Sequence, residues 1–440
     1  MQGLIMAAQL ILSLSILVTF HEMGHFLAAR AFGIKVEKFY LFFDAWGKKL
    51  FSFKRGDTEY GIGWLPLGGY VKIAGMIDES MDKEQMKTEP QPWEFRSKPA
   101  WQRFIVMIGG IVVNLILGFV IFTGYLLQFE KGYISRDVIN QDGIYAGQIA
   151  QEIGVETGDK LISVNGKEYQ RFQDFASLEV FFGADLVVER NGERKTIAVP
   201  GDFFKILKNN KSAFIEPYGS VYIENLSDEL EYAKQAGMQK GDRIISVNGE
   251  KILAFGHLQK MLSDCKGTEA EIGVIRNGEE IALTSKVDTL GRLGFNADIR
   301  RYEGKETNYS LGQAVNYAFK DSWDVLYYNV VGFGKIFSGE IKAQESVQSI
   351  VGIATLYGGV WDWGRFWRLT AMISLVLAFM NALPIPALDG GHMMFLTIEM
   401  ITGRPPSDRV LIIAQYIGMI LLLTLMVLTV GNDIWRIVSK

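Results

Sequence analysis

A histidine pair at the end of an apolar segment constrains this chain most. Residues 4–20 carry no charged side chain and are mostly Leu, Ile, Ala, Val and Ser, and His21-Glu22-Met23-Gly24-His25 follows directly. Residues four apart lie on the same face of a helix, so His21 and His25 can bind one zinc ion, with Glu22 beside them as a general base. Because ionisable side chains are costly in a hydrocarbon-length segment, their presence there indicates function.

The composition fits a membrane core joined to soluble modules. The chain has 440 residues, more than one hydrophobic core usually organises, and 49% of them are hydrophobic, with a mean hydropathy of +0.13. A net charge of −4 gives no electrostatic reason to expect a nucleic-acid partner. A single cysteine, Cys265, excludes an intramolecular disulfide framework. No Lys or Arg precedes Arg30, so we expect a retained membrane helix at the N-terminus and not a signal peptide.

Three further apolar segments, residues 104–129, 366–379 and 410–430, bring the predicted membrane helices to about four. Lys and Arg are dense between the first two helices and recur before the fourth, so the positive-inside rule places both regions in the cytoplasm. The long block of residues 130–308 is then extracytoplasmic. The ends of the first and third helices, with the histidine motif and Asp389, come to the same membrane depth near the cytoplasmic face.

The block of residues 130–308 contains an internal repeat. Residues 157–167, TGDKLISVNGK, recur as KGDRIISVNGE at residues 240–250, and RNGE at residues 190–193 recurs at 276–279. Asn-Gly pairs of this kind favour tight hairpins. The Gly-Asp, strand, Asn-Gly pattern resembles PDZ domains, which bind extended peptides as an added strand. Two tandem β-rich PDZ-like domains are therefore predicted.

The predicted fold is an α-helical polytopic membrane core with a membrane-associated β-sheet or hairpin region and the two PDZ-like domains. In chain order we expect a first transmembrane segment (1–32), a cytoplasmic or membrane-associated β region with a polar loop (33–100), a second transmembrane segment (101–129), PDZ-like domains (130–215 and 216–308), an amphipathic interfacial region (309–365), a third transmembrane segment (366–402) and a fourth with the C-terminus (403–440).

A catalytic zinc ion needs a third protein ligand and an open position for water. Asp389, which follows the third apolar segment, is a better candidate than His392 or His257. Beside it, Pro384 and Pro386 interrupt helical hydrogen bonding, which exposes backbone carbonyls and the polar Asn381. An extended strand around residues 67–71 could hold an unwound substrate by edge pairing. In the second apolar segment, Asn114 is expected to make an interhelical hydrogen bond.

HEMGH in the first segment, the tandem PDZ-like repeat and NALPIPALDGGH in the third segment together resemble the site-2 protease family of intramembrane zinc metalloproteases. The resemblance implies one catalytic Zn²⁺ held by His21, His25 and Asp389, with Glu22 as the catalytic base. It also implies that Asn381, Pro384 and Pro386 position the substrate. A membrane-embedded β-hairpin at Gly68-Gly69-Tyr70-Val71-Lys72 is implied as well.

The same resemblance implies the substrates and the location. Single-span membrane proteins such as anti-sigma factors would be cut within their transmembrane segments after prior trimming, in regulated intramembrane proteolysis at the bacterial inner membrane. The PDZ-like domains would dock peptide segments on the periplasmic side. A membrane-anchored PDZ adaptor with a non-catalytic metal site is the alternative, and the intact Glu22 argues against it. A zinc transporter would need more polar residues at mid-membrane depth than the second and fourth segments offer.

Overall fold

The computed structural model describes residues 2–66, 68–76, 89–130, 132–203, 206–207, 213–300, 306–340 and 350–438. The chain divides into two compact units, one of residues 1–131 and 310–440 and one of Gly132–Tyr309. The polar loop expected before residue 100 lies partly outside the described residues.

The α-helices are α1 Gln2–Ala31, α2 Ala100–Tyr125, α3 Arg136–Ile139, α4 Gln148–Glu152, α5 Leu178–Phe181, α6 Tyr232–Gln235, α7 Phe255–Asp264, α8 Leu311–Phe337, α9 Ile350–Leu356, α10 Trp363–Ala382, α11 Asp389–Thr402 and α12 Asp408–Val438. The strands are β1 Val36–Leu41, β2 Lys49–Arg55, β3 Thr58–Gly63, β4 Tyr70–Ile73, β5 Gly132–Ile134, β6 Ile144–Ala146, β7 Lys160–Val164, β8 Ala184–Arg190, β9 Glu193–Val199, β10 Ile215–Pro217, β11 Ser220–Leu226, β12 Arg243–Val247, β13 Glu250–Lys251, β14 Glu269–Arg276, β15 Glu279–Lys286, β16 Phe295–Arg300 and β17 Glu306–Asn308.

Among the described residues, two helices are long and apolar enough to cross a membrane, Gln2–Ala31 and Ala100–Glu130. They pack backbone to backbone near the histidine motif. A Cβ atom added at Gly24 would lie 2.3 Å from the Gly109 carbonyl oxygen, so no side chain fits between the helices at this level. Small residues allow such close packing in lipid, where no hydrophobic effect drives helices together.

Helix α10 packs on both long helices through buried hydroxyl groups. The Thr370 hydroxyl donates a hydrogen bond to Ser13 Oγ over 3.0 Å, and the Ser374 hydroxyl donates to the Asn114 carbonyl oxygen over 2.7 Å. All four residues are buried. Helix α8, which the sequence predicts as amphipathic over residues 311–337, contacts α2 and α10 and buries a face of mostly small residues.

A four-stranded sheet in the order β2-β3-β1-β4 completes the helical unit. Strand β1 pairs parallel with β3 and antiparallel with β4, with Tyr40 opposite Tyr70. The expected hairpin at residues 68–72 is therefore wrong in its connectivity, because the partner of β4 is the distant β1. Residue alternation identifies a strand but does not identify its partner. Strand β4 lies at the edge of the sheet, so no other strand within the described ranges pairs with its outer side.

The other unit contains two modules built alike. The first has the sheet β7-β8-β9 and the pair β6–β10, and the second has the sheet β15-β14-β12-β11-β16. Each encloses its own hydrophobic core. Each also holds a buried aspartate against an arginine, Asp159 with Arg190 and Asp242 with Arg276, with closest N–O distances of 2.7 Å in both pairs. The repeated sequence thus folds into a repeated structure.

Within this unit the modules meet at helix α7. The Gly256 N–H at the start of α7 donates to the Glu216 carboxylate on β10 over 2.9 Å. The ring of Tyr145 stacks on His257, with centroids 5.0 Å apart and planes at 23°. Burial lowers the pKa of His257, so the ring is predominantly neutral near pH 7.

Candidate metal centre

Three side chains from two distant parts of the chain converge at one point. His21 and His25 lie one turn apart on α1, and Asp389 is the first residue of α11. The Nε2 atoms of the histidines are 3.2 Å apart, and Asp389 Oδ2 lies 3.2 Å from His21 Nε2 and 3.3 Å from His25 Nε2. The group is the one cluster of potential metal ligands found among the described residues.

The three atoms fit a zinc ion. Ligands at about 2.0–2.2 Å in a tetrahedral arrangement lie roughly 3.3 Å from each other, and the three distances in this structure match that spacing. Asp389 Oδ2 is buried and, among the described residues, has no hydrogen-bond partner. A buried oxygen without a partner is costly, and a cation at the centre of the triangle would satisfy it.

The backbone around Asp389 explains why the residues near it are small. Helix α10 ends at Ala382 and α11 begins at Asp389, and between them Ala387 adopts a positive φ of 80°. A Cβ atom at Gly390 would lie 2.1 Å from the Leu383 carbonyl oxygen, and one at Gly391 would lie 2.5 Å from the Ile385 carbonyl oxygen. The two glycines therefore let the broken segment fold tightly against the start of α11, which sets the position of the aspartate.

Helix α2 lies behind the histidines. His25 Nδ1 is 2.8 Å from the Val106 carbonyl oxygen, which fixes the hydrogen on Nδ1 and leaves Nε2 to bind metal. The side chain of Asn114 lies 3.2 Å from His21 Nδ1. The interhelical hydrogen bond expected for Asn114 is thus made to a candidate ligand. At Gly110, between these two contacts, a Cβ atom would lie 2.5 Å from His25 Nε2.

Glu22 connects the three ligands to the sheet. The Val71 N–H of β4 lies near the Glu22 carboxylate, so this strand approaches the centre. Both residues line a cavity of about 880 Å³ that also contains His21, His25 and Asp389. The candidate base, the candidate metal ligands and the edge strand β4 therefore line one cavity.

Most of the predicted substrate-binding residues line this cavity. Asn381, Gly68, Gly69, Tyr70 and Val71 are among its lining residues. Pro386 instead lines a neighbouring cavity of about 410 Å³, and Pro384 is exposed. His392 borders both cavities but contributes no atom to the ligand cluster.

The sequence did not point to a polar network opposite the ligands. The Tyr70 hydroxyl and the Lys38 ammonium each donate to Asp44 over 2.7 Å. Burial alone would raise the pKa of Asp44, but these two hydrogen bonds hold the pKa below its usual value. The Tyr70 ring is stacked between Tyr40 and Phe43, which fixes the start of β4 against the loop after β1. Lys38 and Asp44 belong to no sequence motif, so no local pattern could have identified them.

A family model for peptidase family M50 matches residues 9–425. The chain belongs to this family. It is similar to the protease RseP of Yersinia pestis, with 32% identity over 467 residues, and to the regulator of sigma-E protease RseP of Escherichia coli K12, with 30% identity over 466 residues. Both alignments cover 98% of this chain and 98% of the relative. A protein of Neisseria meningitidis whose name describes a zinc metalloprotease is 27% identical over 458 residues. The chain is therefore a zinc metalloprotease of a membrane protease family, as the resemblance noted in its sequence predicted.

Proposed function

We propose that this metalloprotease cleaves peptide bonds within the transmembrane segments of single-span membrane proteins, after the extracytoplasmic parts of these substrates have been trimmed. The observation that carries the proposal is the shared cavity, in which the ligand cluster, Glu22 and the edge strand β4 meet. In this proposal His21, His25 and Asp389 hold the zinc ion and Glu22 is the catalytic base.

The roles of the side chains follow from their positions. A bound zinc ion would supply Lewis acidity for the attacking water and the scissile carbonyl. Glu22 accepts the proton of that water and returns it to the leaving nitrogen. His25, held by Val106, and His21, beside Asn114, keep their Nε2 atoms directed at one point. The low exposure of the centre limits competing water, with side-chain exposures of 13% for His21 and 7% for His25.

The strand edge gives a way to hold an unwound substrate. A transmembrane helix buries its own backbone hydrogen bonds, so a protease must open several residues before an amide becomes accessible. Pairing with the outer edge of β4 replaces the lost hydrogen bonds. The Asp44 network fixes Tyr70 at the start of this edge, and Asn381 with the broken segment after α10 also lines the cavity.

The membrane arrangement in this proposal has four transmembrane helices, α1, α2, α10 and α12, with the metal centre near the cytoplasmic face. Lys and Arg are dense between the first two predicted spans and recur before the fourth, and this bias supports the orientation. The two repeated modules then act as periplasmic PDZ-like domains that bind peptide segments. The Escherichia coli relative, which is named as a regulator of sigma-E protease, supports anti-sigma-factor-like substrates.

The decisive experiment compares the wild-type protein with Glu22→Gln in proteoliposomes that contain a single-span model substrate with a short outer part. Wild type should cleave within the transmembrane segment, and Glu22→Gln should not, while both retain one zinc ion per chain. Thr19→Ala is a matched control on α1, because the Thr19 hydroxyl bonds only within its own helix, to the Ser15 carbonyl oxygen. Cleavage that survives in Glu22→Gln contradicts the mechanism. A zinc-loaded wild-type protein that binds peptides and cuts none of a panel of such substrates would favour the adaptor function.

A further inference from the structure

The side chain of Asn114 is incompletely hydrogen-bonded at the metal centre. The residue is fully buried on α2, and its Oδ1 atom has no hydrogen-bond partner in the part of the chain that the structure describes. Its Nδ2 atom lies 3.2 Å from His21 Nδ1. A buried amide oxygen without a partner is rare in folded proteins because it has lost its hydrogen bonds to water.

The tautomer of His21 provides the partner that the amide oxygen needs. A neutral imidazole that binds a metal through Nε2 carries its hydrogen on Nδ1, and this N–H needs an acceptor. The nitrogen of an amide group cannot accept, but its oxygen can. The two ends of an Asn side chain have nearly the same shape, so rotating the amide by half a turn exchanges them without any change in packing. After that rotation, Asn114 Oδ1 accepts from His21 Nδ1–H, so the ring N–H and the amide oxygen each have a partner.

We propose that Asn114 is a positioning residue that accepts a hydrogen bond from His21 Nδ1–H and thereby fixes the tautomer and the ring plane of this ligand. The Val106 carbonyl oxygen does the same for His25. Helix α2 therefore holds both histidines, although it contributes no metal ligand. The inference rests on the zinc ligand set proposed above.

A role limited to helix packing explains less of the structure. The contact between α2 and α10 at this level is made by the backbone of Asn114, whose carbonyl oxygen accepts from the Ser374 hydroxyl over 2.7 Å. The amide side chain does not take part in that contact. Ser374 is also fully buried. Ser374→Ala thus removes a hydrogen bond at the same place without changing the partner of His21, and serves as the matched control.

The test measures zinc retention in the full-length protein in detergent. Purified Asn114→Ala, Asn114→Asp and Ser374→Ala proteins are loaded with zinc, and the rate of zinc transfer to a chelating dye is followed. Removing a partner of a metal-bound histidine typically weakens metal binding by about 10–100-fold. We expect Asn114→Ala to lose zinc about 10–100 times faster than wild type. Asn114→Asp keeps an acceptor and should lose zinc within about threefold of the wild-type rate, as should Ser374→Ala.

A spectroscopic measurement separates orientation from general loosening. The visible absorption of the Co²⁺-substituted protein should change in Asn114→Ala and stay close to wild type in Ser374→Ala, while the zinc-free proteins unfold at similar temperatures. The proposal is overturned if Asn114→Ala retains zinc as wild type does and gives the wild-type cobalt spectrum. It is also overturned if Asn114→Asp loses zinc as fast as Asn114→Ala, whether or not the zinc-free Asn114→Asp protein is folded. His21→Ala tests the ligand set independently, because unchanged zinc content in that variant means that the ligand set itself is wrong.

Discussion

Gly110→Ala tests whether the tight fit of α2 against the histidines sets the catalytic geometry. A Cβ atom at this position would lie 2.5 Å from His25 Nε2 and 2.6 Å from His21 Cε1. Imidazole rings usually move aside for a methyl group because they lie at the ends of flexible side chains. Here the His25 ring is held by Val106 through its other nitrogen, so it cannot rotate freely.

The size of the effect follows from the overlap. Ordinary contacts of Cβ atoms begin at 3.4 Å, so the rings or the helix must move by about 0.9 Å. A misplacement of about 1 Å at a reacting centre can cost on the order of 100-fold in rate. Overpacking by one methyl group costs about 1–3 kcal/mol of stability, which a folded membrane protein tolerates. We therefore expect kcat/KM to fall about 100-fold while the protein still folds.

The assay is cleavage of a single-span substrate in proteoliposomes, with zinc content and thermal unfolding measured on the same preparations. Gly124→Ala is the matched control, because it changes the same helix at a position where a Cβ atom would meet nothing within 4 Å. This control should retain wild-type kcat/KM within about twofold. If Gly110→Ala has full zinc content and cleaves within threefold of wild type, the histidine positions are not set by this contact and the reasoning fails.

Three further predictions concern the rest of the chain. Arg276→Ala leaves the buried Asp242 without its partner and should destabilise the second module by about 3 kcal/mol in urea unfolding followed by limited proteolysis. Burial alone would raise the pKa of Asp242, but Arg276 holds this pKa below its usual value of 3.8. The stabilisation by the ion pair is therefore present above pH 3.8 and is lost as the pH falls through the lower pKa of the folded protein. Asp242→Asn should remove this acid sensitivity. Glu216→Ala removes the carboxylate that accepts from helix α7, and spin labels on the two modules should report a broader distance distribution. Tyr70→Phe breaks the hydrogen bond to Asp44 and should raise KM more than it lowers kcat in the cleavage assay, because it loosens the substrate strand and leaves the ligands intact.

Local patterns were sufficient to predict half of the site and much of the fold. The spacing of His21 and His25 in an apolar helix predicts shared ligation, because residues four apart always lie on one helix face. Charge bias and segment order then predict that Asp389 lies at the same depth. The repeat predicts two like modules because a recurring pattern of 11 residues encodes the same turn and strand twice. The helical spacing of residues 311–337 coincides with α8.

Contacts between distant segments could not be predicted in this way. The alternation around Tyr70 indicates a strand but carries no information on whether its partner is a neighbour or β1. The stacking of Tyr145 on His257 depends on how the two modules pack against each other, and the sequence pattern of neither module alone predicts that contact. The Asp44 network likewise combines residues that share no periodicity with one another.

One face of α2 is nevertheless present in the sequence as a pattern. Val106, Gly110 and Asn114 are each four residues apart, so they lie in one row, as do His21 and His25 on α1. The Val106 carbonyl oxygen contacts His25, and the Asn114 amide contacts His21. Gly110 has no side chain and leaves room for both rings between these two contacts. In a helix the Val106 carbonyl is also the acceptor for the Gly110 N–H, and the missing side chain at Gly110 lets the ring of His25 approach it. In this chain the histidine motif on α1 is therefore matched on α2 by a backbone carbonyl, a glycine and an amide in one row, and only the glycine and the amide can be read from the sequence.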